Sequence, residues 1–123
     1  DLYAGSGIVG FEASSRGADN VTFIDMNKQH MNQIRKSAES INYKHFNFLV
    51  RDSLRFLKKC DNYDIIFADP PYGLANLSLL IDLACKKLNP RGIFVLECSK
   101  NESLAGYDKS SKFGDTQLLY WEA

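Results

Sequence analysis

Gly5-Ser6-Gly7-Ile8-Val9-Gly10 follows the short run Asp1-Leu2-Tyr3-Ala4, and a second apolar run downstream ends in Asp25. The spacing is G-x-G-x-x-G, in which glycines let the backbone come close to a ligand and pack a helix on a sheet. An acidic residue about twenty positions on is then placed to reach ribose hydroxyls. Residues 1–4 read as the end of a strand entering the loop. A strand, a glycine loop and a helix in this order open a doubly wound α/β fold.

Working outward, helical and extended patterns alternate to the end of the chain, with no repeat and no low-complexity segment. Ile8 to Arg16 reads as a helix closed by Gly17, and Val21 to Ile24 as a buried strand. Met31, Ile34, Ala38 and Ile41 recur at helical spacing, and Phe46 to Val50 is a second strand. Ser53 is expected to cap a short helix reaching Lys59. Tyr63 to Ala68 is a continuous apolar strand, and Leu77, Leu80, Ala84 and Leu88 mark the next helix. Pro90-Arg91-Gly92 turns the chain into the strand Ile93 to Glu97, and two extended segments flank Gly114-Asp115, a pair suited to a tight hairpin. The expected fold is therefore α/β, a mostly parallel, doubly wound Rossmann-like sheet with a C-terminal antiparallel hairpin. Ligands in such sheets bind beyond the carboxyl ends of the strands, where the motifs fall.

The glycine loop alone fits either a dinucleotide or S-adenosylmethionine, because both carry an adenosine ribose; a plain tight turn is the third reading. Neighbouring residues add detail. Met26, directly after Asp25, can lie against a flat adenine. Asp52, beyond the next strand, can accept from the adenine amine or cap the helix that opens at Ser53. Asp1 can hold a methionine ammonium.

Asp69-Pro70-Pro71-Tyr72 directly follows a buried strand and is the most specific chemical signal. Two prolines fix a rigid turn and remove backbone donors while keeping carbonyls. An exocyclic amine on a purine is a poor nucleophile because its lone pair is delocalised into the ring. Asp69 and the Pro70 carbonyl can accept its hydrogens, and Tyr72 offers a ring on which an extruded base stacks.

Composition narrows the rest. The 123 residues suffice for one core, read here as a single unit over residues 1–123 that lacks an N-terminal segment and most of its first strand. No long apolar run suggests a membrane span. Cys60, Cys85 and Cys98 are odd in number and widely spaced, which speaks against a disulfide framework or a zinc site and for a reduced, cytoplasmic setting. Each is read as a small buried apolar residue. Net charge is zero, yet Lys28 to Lys59 holds eight basic residues against Glu39 and Asp52, read first as solvated helix surface and second as a nucleic-acid contact. His30 and His45 are read as solvated.

Asp1 to Gly10, Glu12-Ala13, Ser15-Arg16-Gly17-Ala18, Asp25, Asp69 to Tyr72, Gly92 to Glu97 and Phe113-Gly114-Asp115-Thr116 together resemble the bacterial 16S ribosomal RNA guanine-N2 methyltransferase family, the RsmD-like proteins. The resemblance spans essentially the whole chain. It implies S-adenosylmethionine as cofactor, held by Asp1, Ala4, Gly5, Gly7, Asp25, Met26, Asp52 and Ser53. It implies a target guanine held by Asp69, Pro70, Pro71 and Tyr72, and ribosomal RNA or the small ribosomal subunit as partner, with no metal, no membrane and a monomeric enzyme. The family also carries a basic N-terminal segment that does not appear before Asp1. Alternative readings are a DNA or RNA adenine-N6 methyltransferase, which shares the Asp-Pro-Pro-Tyr motif, a NAD-binding dehydrogenase domain, and a non-catalytic fragment.

Overall fold

A computed structural model describes residues 1–42 and 45–123. The chain divides into two compact units, Asp1–Arg55 and Phe56–Ala123.

In the first unit, α1 (Ile8–Ser15), β1 (Val21–Asp25), α2 (Lys28–Glu39) and β2 (Phe46–Val50) follow in order, with β1 and β2 parallel. Residues ahead of the glycine loop do run beside β1: Leu2 bridges Ile24 in parallel, and the Ala4 N–H donates to Ile24 O at 3.0 Å. Gly17 (φ 102) turns the chain out of α1, while the Ala18 N–H closes back on Ala13 O at 3.0 Å, a glycine-dependent helix ending. Asn27 starts α2 by accepting the Gln29 and His30 N–H groups on its side-chain oxygen. The core gathers Val21, Phe23, Met31 and Ile34, bordered by Phe11, Phe46 and Phe48. A Cβ on Gly10 would run into the Phe23 ring and Val21, so the third glycine of the loop is what lets α1 approach β1.

The second unit holds β3 (Tyr63–Ala68), α4 (Leu77–Lys86), β4 (Leu88–Ser99), β5 (Lys109–Phe113) and β6 (Thr116–Glu122), in sheet order β3-β4-β6-β5. β3 and β4 are parallel, and the last three strands pair antiparallel. Burial alternates along the central strands, with Phe94, Leu96 and Cys98 opposite Trp121, Leu119 and Gln117 on the buried face. α4 lies against β4 and buries Leu80 and Ala84. The hairpin turns at Gly114 (φ 55), the backbone state that the first central residue of a Gly-X turn adopts. The division between the units falls within α3 (Ser53–Lys59).

Several expectations shift. Ile41 lies beyond α2, which ends at Glu39. Leu88 begins β4 instead of ending α4, because the Lys87 carbonyl already accepts the Tyr63 N–H at 2.8 Å and the chain is paired from there. Pro90-Arg91-Gly92 turns the chain as a bulge inside a longer strand: Tyr63 pairs with Leu88 but Ile65 with Ile93, and Arg91 takes φ 67. Gly92 is required there, since a Cβ would meet Asn89 O at 2.8 Å and Asp64 O at 3.0 Å. Of the cysteines, Cys98 is buried and Cys60 and Cys85 are half-buried. Lys44, one of the eight basic residues, lies outside the described residues.

Candidate functional site

The glycine loop is pinned by two carboxylates from the strand ends beside it. Asp25, whose side chain is only 12% exposed, accepts the Gly5 N–H on Oδ2 at 2.8 Å and the Asn27 N–H on Oδ1 at 2.7 Å. Asp1 accepts the Gly10 N–H at 3.0 Å, satisfying one of the free donors in the first turn of α1 that Gly7, having no side chain, cannot cap. Tyr3 (φ 57), Gly5 (φ 58) and Gly7 (φ 79) all take left-handed backbone, so the chain reverses sharply between Asp1 and α1. A side chain at Gly7 would also meet the Phe11 ring at 2.9 Å. Ala4 completes the turn by accepting the Gly7 N–H at 2.8 Å. Met26, beside Asp25, is 70% exposed and offers its thioether to whatever lies over the carboxyl end of β1.

At the neighbouring strand end, Asp52 and not Ser53 caps α3, accepting the Arg55 N–H at 2.9 Å. A carboxylate one residue earlier reaches the free amide of the first turn, which leaves the Ser53 hydroxyl without that task. Ser53 is 1% exposed, and among the described residues its Oγ is a buried side-chain oxygen without a hydrogen-bond partner. The Tyr3 phenol faces this pair: burial first, then the Asp52 charge, push its titration up, and Ser53 pulls weakly the other way without a well-formed hydrogen bond. A buried polar atom left unmatched carries a cost that a polar ligand removes. Asp25 and Asp52 close adjacent parallel strands and keep lone pairs free, so this donor and acceptor set fits an adenosine bearing a ribose and an amine.

Sequence reasoning missed two members of this group. Tyr3 had no motif to mark it, although its left-handed backbone at a residue other than glycine would have been a signal had φ been legible. His30 is exposed as expected, but its Nδ1 stands 3.4 Å from Asp25 Oδ2, because α2 starts directly after the strand end.

In the second unit, Asp69 leaves β3 exposed, Pro70 is buried, and Tyr72 projects a ring that is 74% exposed. The turn closes with the Leu74 N–H donating to Pro71 O at 3.3 Å and Gly73 at φ 80. Burial pushes the Asp69 carboxyl up from the usual range. Glu97, two residues before the end of β4, lies next to it: Ala68 pairs with Leu96, and the residue that follows each of them is a carboxylate. Its carboxyl is likewise pushed up, by burial and then by the Asp69 charge. Sequence reading took Glu97 only as a strand end.

Among the described residues no group of three or more His, Cys, Asp or Glu side chains could hold a metal ion, and no helix is long and apolar enough to cross a membrane.

Comparison with known proteins places these features in a family. The family described as conserved hypothetical protein 95 matches residues 1–121. Ribosomal RNA small subunit methyltransferase D of Haemophilus influenzae is 34% identical over 111 residues, which is 85% of this chain and 58% of that protein. The protein of the same name from Buchnera aphidicola is 32% identical over 108 residues, 85% of this chain and 56% of that one. The chain thus spans a little over half the length of these curated relatives. A Haemophilus influenzae crystal structure provisionally described as a methylase superposes with a TM-score of 0.88 at 30% identity, over 99% of this chain and 83% of that one. A 16S rRNA N2 guanine methyltransferase of Thermus thermophilus, in complex with AdoMet and guanosine, has a TM-score of 0.81 at 21% identity over 99% of this chain and 36% of that one, a likeness of fold. The fold is Rossmann-like, and by the match along 1–121 and the identity to its curated relatives the chain belongs to the conserved hypothetical protein 95 family, that of the small-subunit ribosomal RNA methyltransferases D.

Proposed function

We propose that this chain is the S-adenosylmethionine-binding core, residues 1–123, of a methyltransferase that modifies the N2 amine of a guanine in 16S ribosomal RNA. The observation that carries the reading is the Asp69-Pro70-Pro71-Tyr72 turn, with an exposed carboxylate and an exposed ring at the end of β3, which buries only Ile66 and Ala68 and leaves Asp64 and Ile65 exposed where a buried strand was expected. Family membership supports it, as do the names of the relatives. In this reading the partner is ribosomal RNA or the small subunit, and the enzyme works as a monomer in the cytoplasm.

The cofactor supplies an electrophilic methyl group on a sulfonium sulfur. Asp25 accepts from its ribose hydroxyls, Met26 lies on the adenine, and Asp52 with the unmatched Ser53 hydroxyl meets the polar edge of that ring. Asp1, Ala4, Gly5 and Gly7 line the turn that admits the remainder. Tyr72 stacks on the target base, which aromatic contact stabilises by about 1 to 3 kcal/mol. Asp69 and the Pro70 carbonyl accept the amine hydrogens and orient its lone pair, while Pro71 keeps the turn rigid. Formation of the new N–C bond would be matched by breaking of the methyl–sulfur bond, whose electron pair stays on sulfur as a neutral thioether, and the methylated amine gives up one proton. Asp69, with its carboxyl pushed up, takes that proton from N2 and passes it to water.

The test is transfer of a labelled methyl group from S-adenosylmethionine to small-subunit RNA or particles, followed by digestion and mass spectrometry. N2-methylguanosine is expected; N6-methyladenosine, or no product, refutes the proposal. Asp69→Ala should abolish transfer while leaving cofactor affinity nearly intact.

A further inference from the structure

We propose that Glu97 reads the target base together with Asp69: Glu97 accepts the N1–H of guanine while Asp69 accepts a hydrogen of its N2 amine. The assignment rests on the guanine reading above and deepens it by naming the residue that distinguishes guanine from adenine.

The geometry starts from strand register. β3 and β4 run parallel with Ala68 beside Leu96, and both are buried. Glu97, the next residue of β4, turns to the opposite face, and Asp69 is the first residue past the end of β3. The two carboxylates therefore sit one strand spacing of about 4.8 Å apart along the sheet, close enough for the Asp69 charge to act on Glu97. Glu97 shares its half-exposed face with Ile93 and Val95, away from the buried Phe94, Leu96 and Cys98, and is therefore open to a ligand. On its other side, β6 presents Leu118 opposite Glu97, which is apolar and leaves the carboxylate unmatched from that strand. Among the described residues no cation or hydrogen-bond donor pairs with either side chain. Two carboxylates held together without a cation repel, and the upward push on the Glu97 carboxyl by Asp69 is that repulsion.

A ligand edge with two adjacent N–H donors relieves it. Guanine has such an edge, formed by N1–H and the 2-amino group, whereas adenine places an acceptor at N1 beside its amine. A carboxylate facing that acceptor is left without a donor, and a site built around a hydrogen bond rejects the analogue that lacks it. Asp69 alone cannot make this distinction, since it meets an amine in either case. Glu97 can.

Ligand-observed NMR titrations of the protein, with S-adenosylhomocysteine added to fill the adenosine site, compare guanosine, 2-aminopurine riboside and adenosine. 2-Aminopurine keeps the 2-amine but has an acceptor at N1. The wild-type protein should hold guanosine roughly ten- to a hundredfold more tightly than 2-aminopurine riboside, the range for one hydrogen bond to a charged group. Glu97→Gln, whose amide can donate to an N1 acceptor, should bring the two ligands within about threefold of each other. Asp69→Asn should weaken both and leave their ratio unchanged, an outcome that a merely structural disturbance near Glu97 would not divide in this way. A Glu97→Gln protein with wild-type circular dichroism and an unchanged ratio overturns the assignment while leaving the base preference standing. A wild-type protein that favours adenosine, or holds no guanosine, removes the guanine reading and this assignment with it.

Discussion

Both oxygens of the Asp25 carboxylate already accept backbone N–H groups, one from the glycine loop and one from the start of α2. A ribose would therefore use its remaining lone pairs, and Asp25→Ala would lose that acceptor and unpin the loop together. Calorimetry should show S-adenosylmethionine affinity weakened by about 1.5 to 3 kcal/mol, the range for a hydrogen bond to a charged group, and an unchanged constant would reject the role. The Asp69 and Glu97 pair makes a second residue-scale prediction. Both carboxyls titrate higher in the fold than when unfolded, so the folded state binds protons more readily. Their stabilising contribution is complete below the ordinary carboxylate range and is lost as pH rises through the raised folded values. At neutral pH the pair destabilises, and Glu97→Gln should raise the melting temperature at pH 7 to 8 but not near pH 3. A melting temperature that falls equally at both values would show that the carboxylate is structural.

Helix α1 depends on its third glycine. Gly10→Ala would drive a methyl group into the Phe23 ring and Val21, and should cost about 1 to 3 kcal/mol in denaturant unfolding, as overpacking does. At the other strand end, Asp52→Ala removes the α3 cap and should cost about 1 kcal/mol. These elements also show what the sequence makes readable. The glycine loop, Asp25 and the Asp-Pro-Pro-Tyr turn are local patterns, so a few neighbouring residues suffice to read the turn and the side chains it presents. Ile41 and Leu88 were misplaced because periodicity cannot tell the last apolar residue of a helix from the first residue beyond it. Glu97 beside Asp69, and Tyr3 facing Asp52 and Ser53, are meetings between distant positions. They depend on strand register and on the sharp reversal after Asp1, neither of which leaves a local trace. Both Ser53 and Asp52 were read as possible caps because caps are recognised by residue type, and the structure selects Asp52.

At the scale of the whole molecule, 15 basic and 15 acidic side chains cancel, and phosphate neutralisation supplies most non-specific RNA affinity. Residues 1–123 alone should bind RNA weakly and with a shallow dependence on salt. Adding a basic segment of the kind the family resemblance places before Asp1 should steepen the logarithmic salt slope by about 0.7 to 0.9 per phosphate neutralised. Titrations at two salt concentrations check this, and equal slopes would locate recognition within these 123 residues.

Trp121 is the sole tryptophan, and it lies in the second unit, stacked on Phe94 with ring centroids 5.4 Å apart and edge-on to Tyr107. The first unit is built around Phe11, Phe23, Phe46 and Phe48, which emit too faintly to compete. Indole fluorescence is thus an optical reporter of Phe56–Ala123 alone, while far-ultraviolet circular dichroism follows the helices and strands of both units. If the two signals trace one denaturation curve, the units melt as a single cooperative body; if fluorescence departs, each keeps its own melting point.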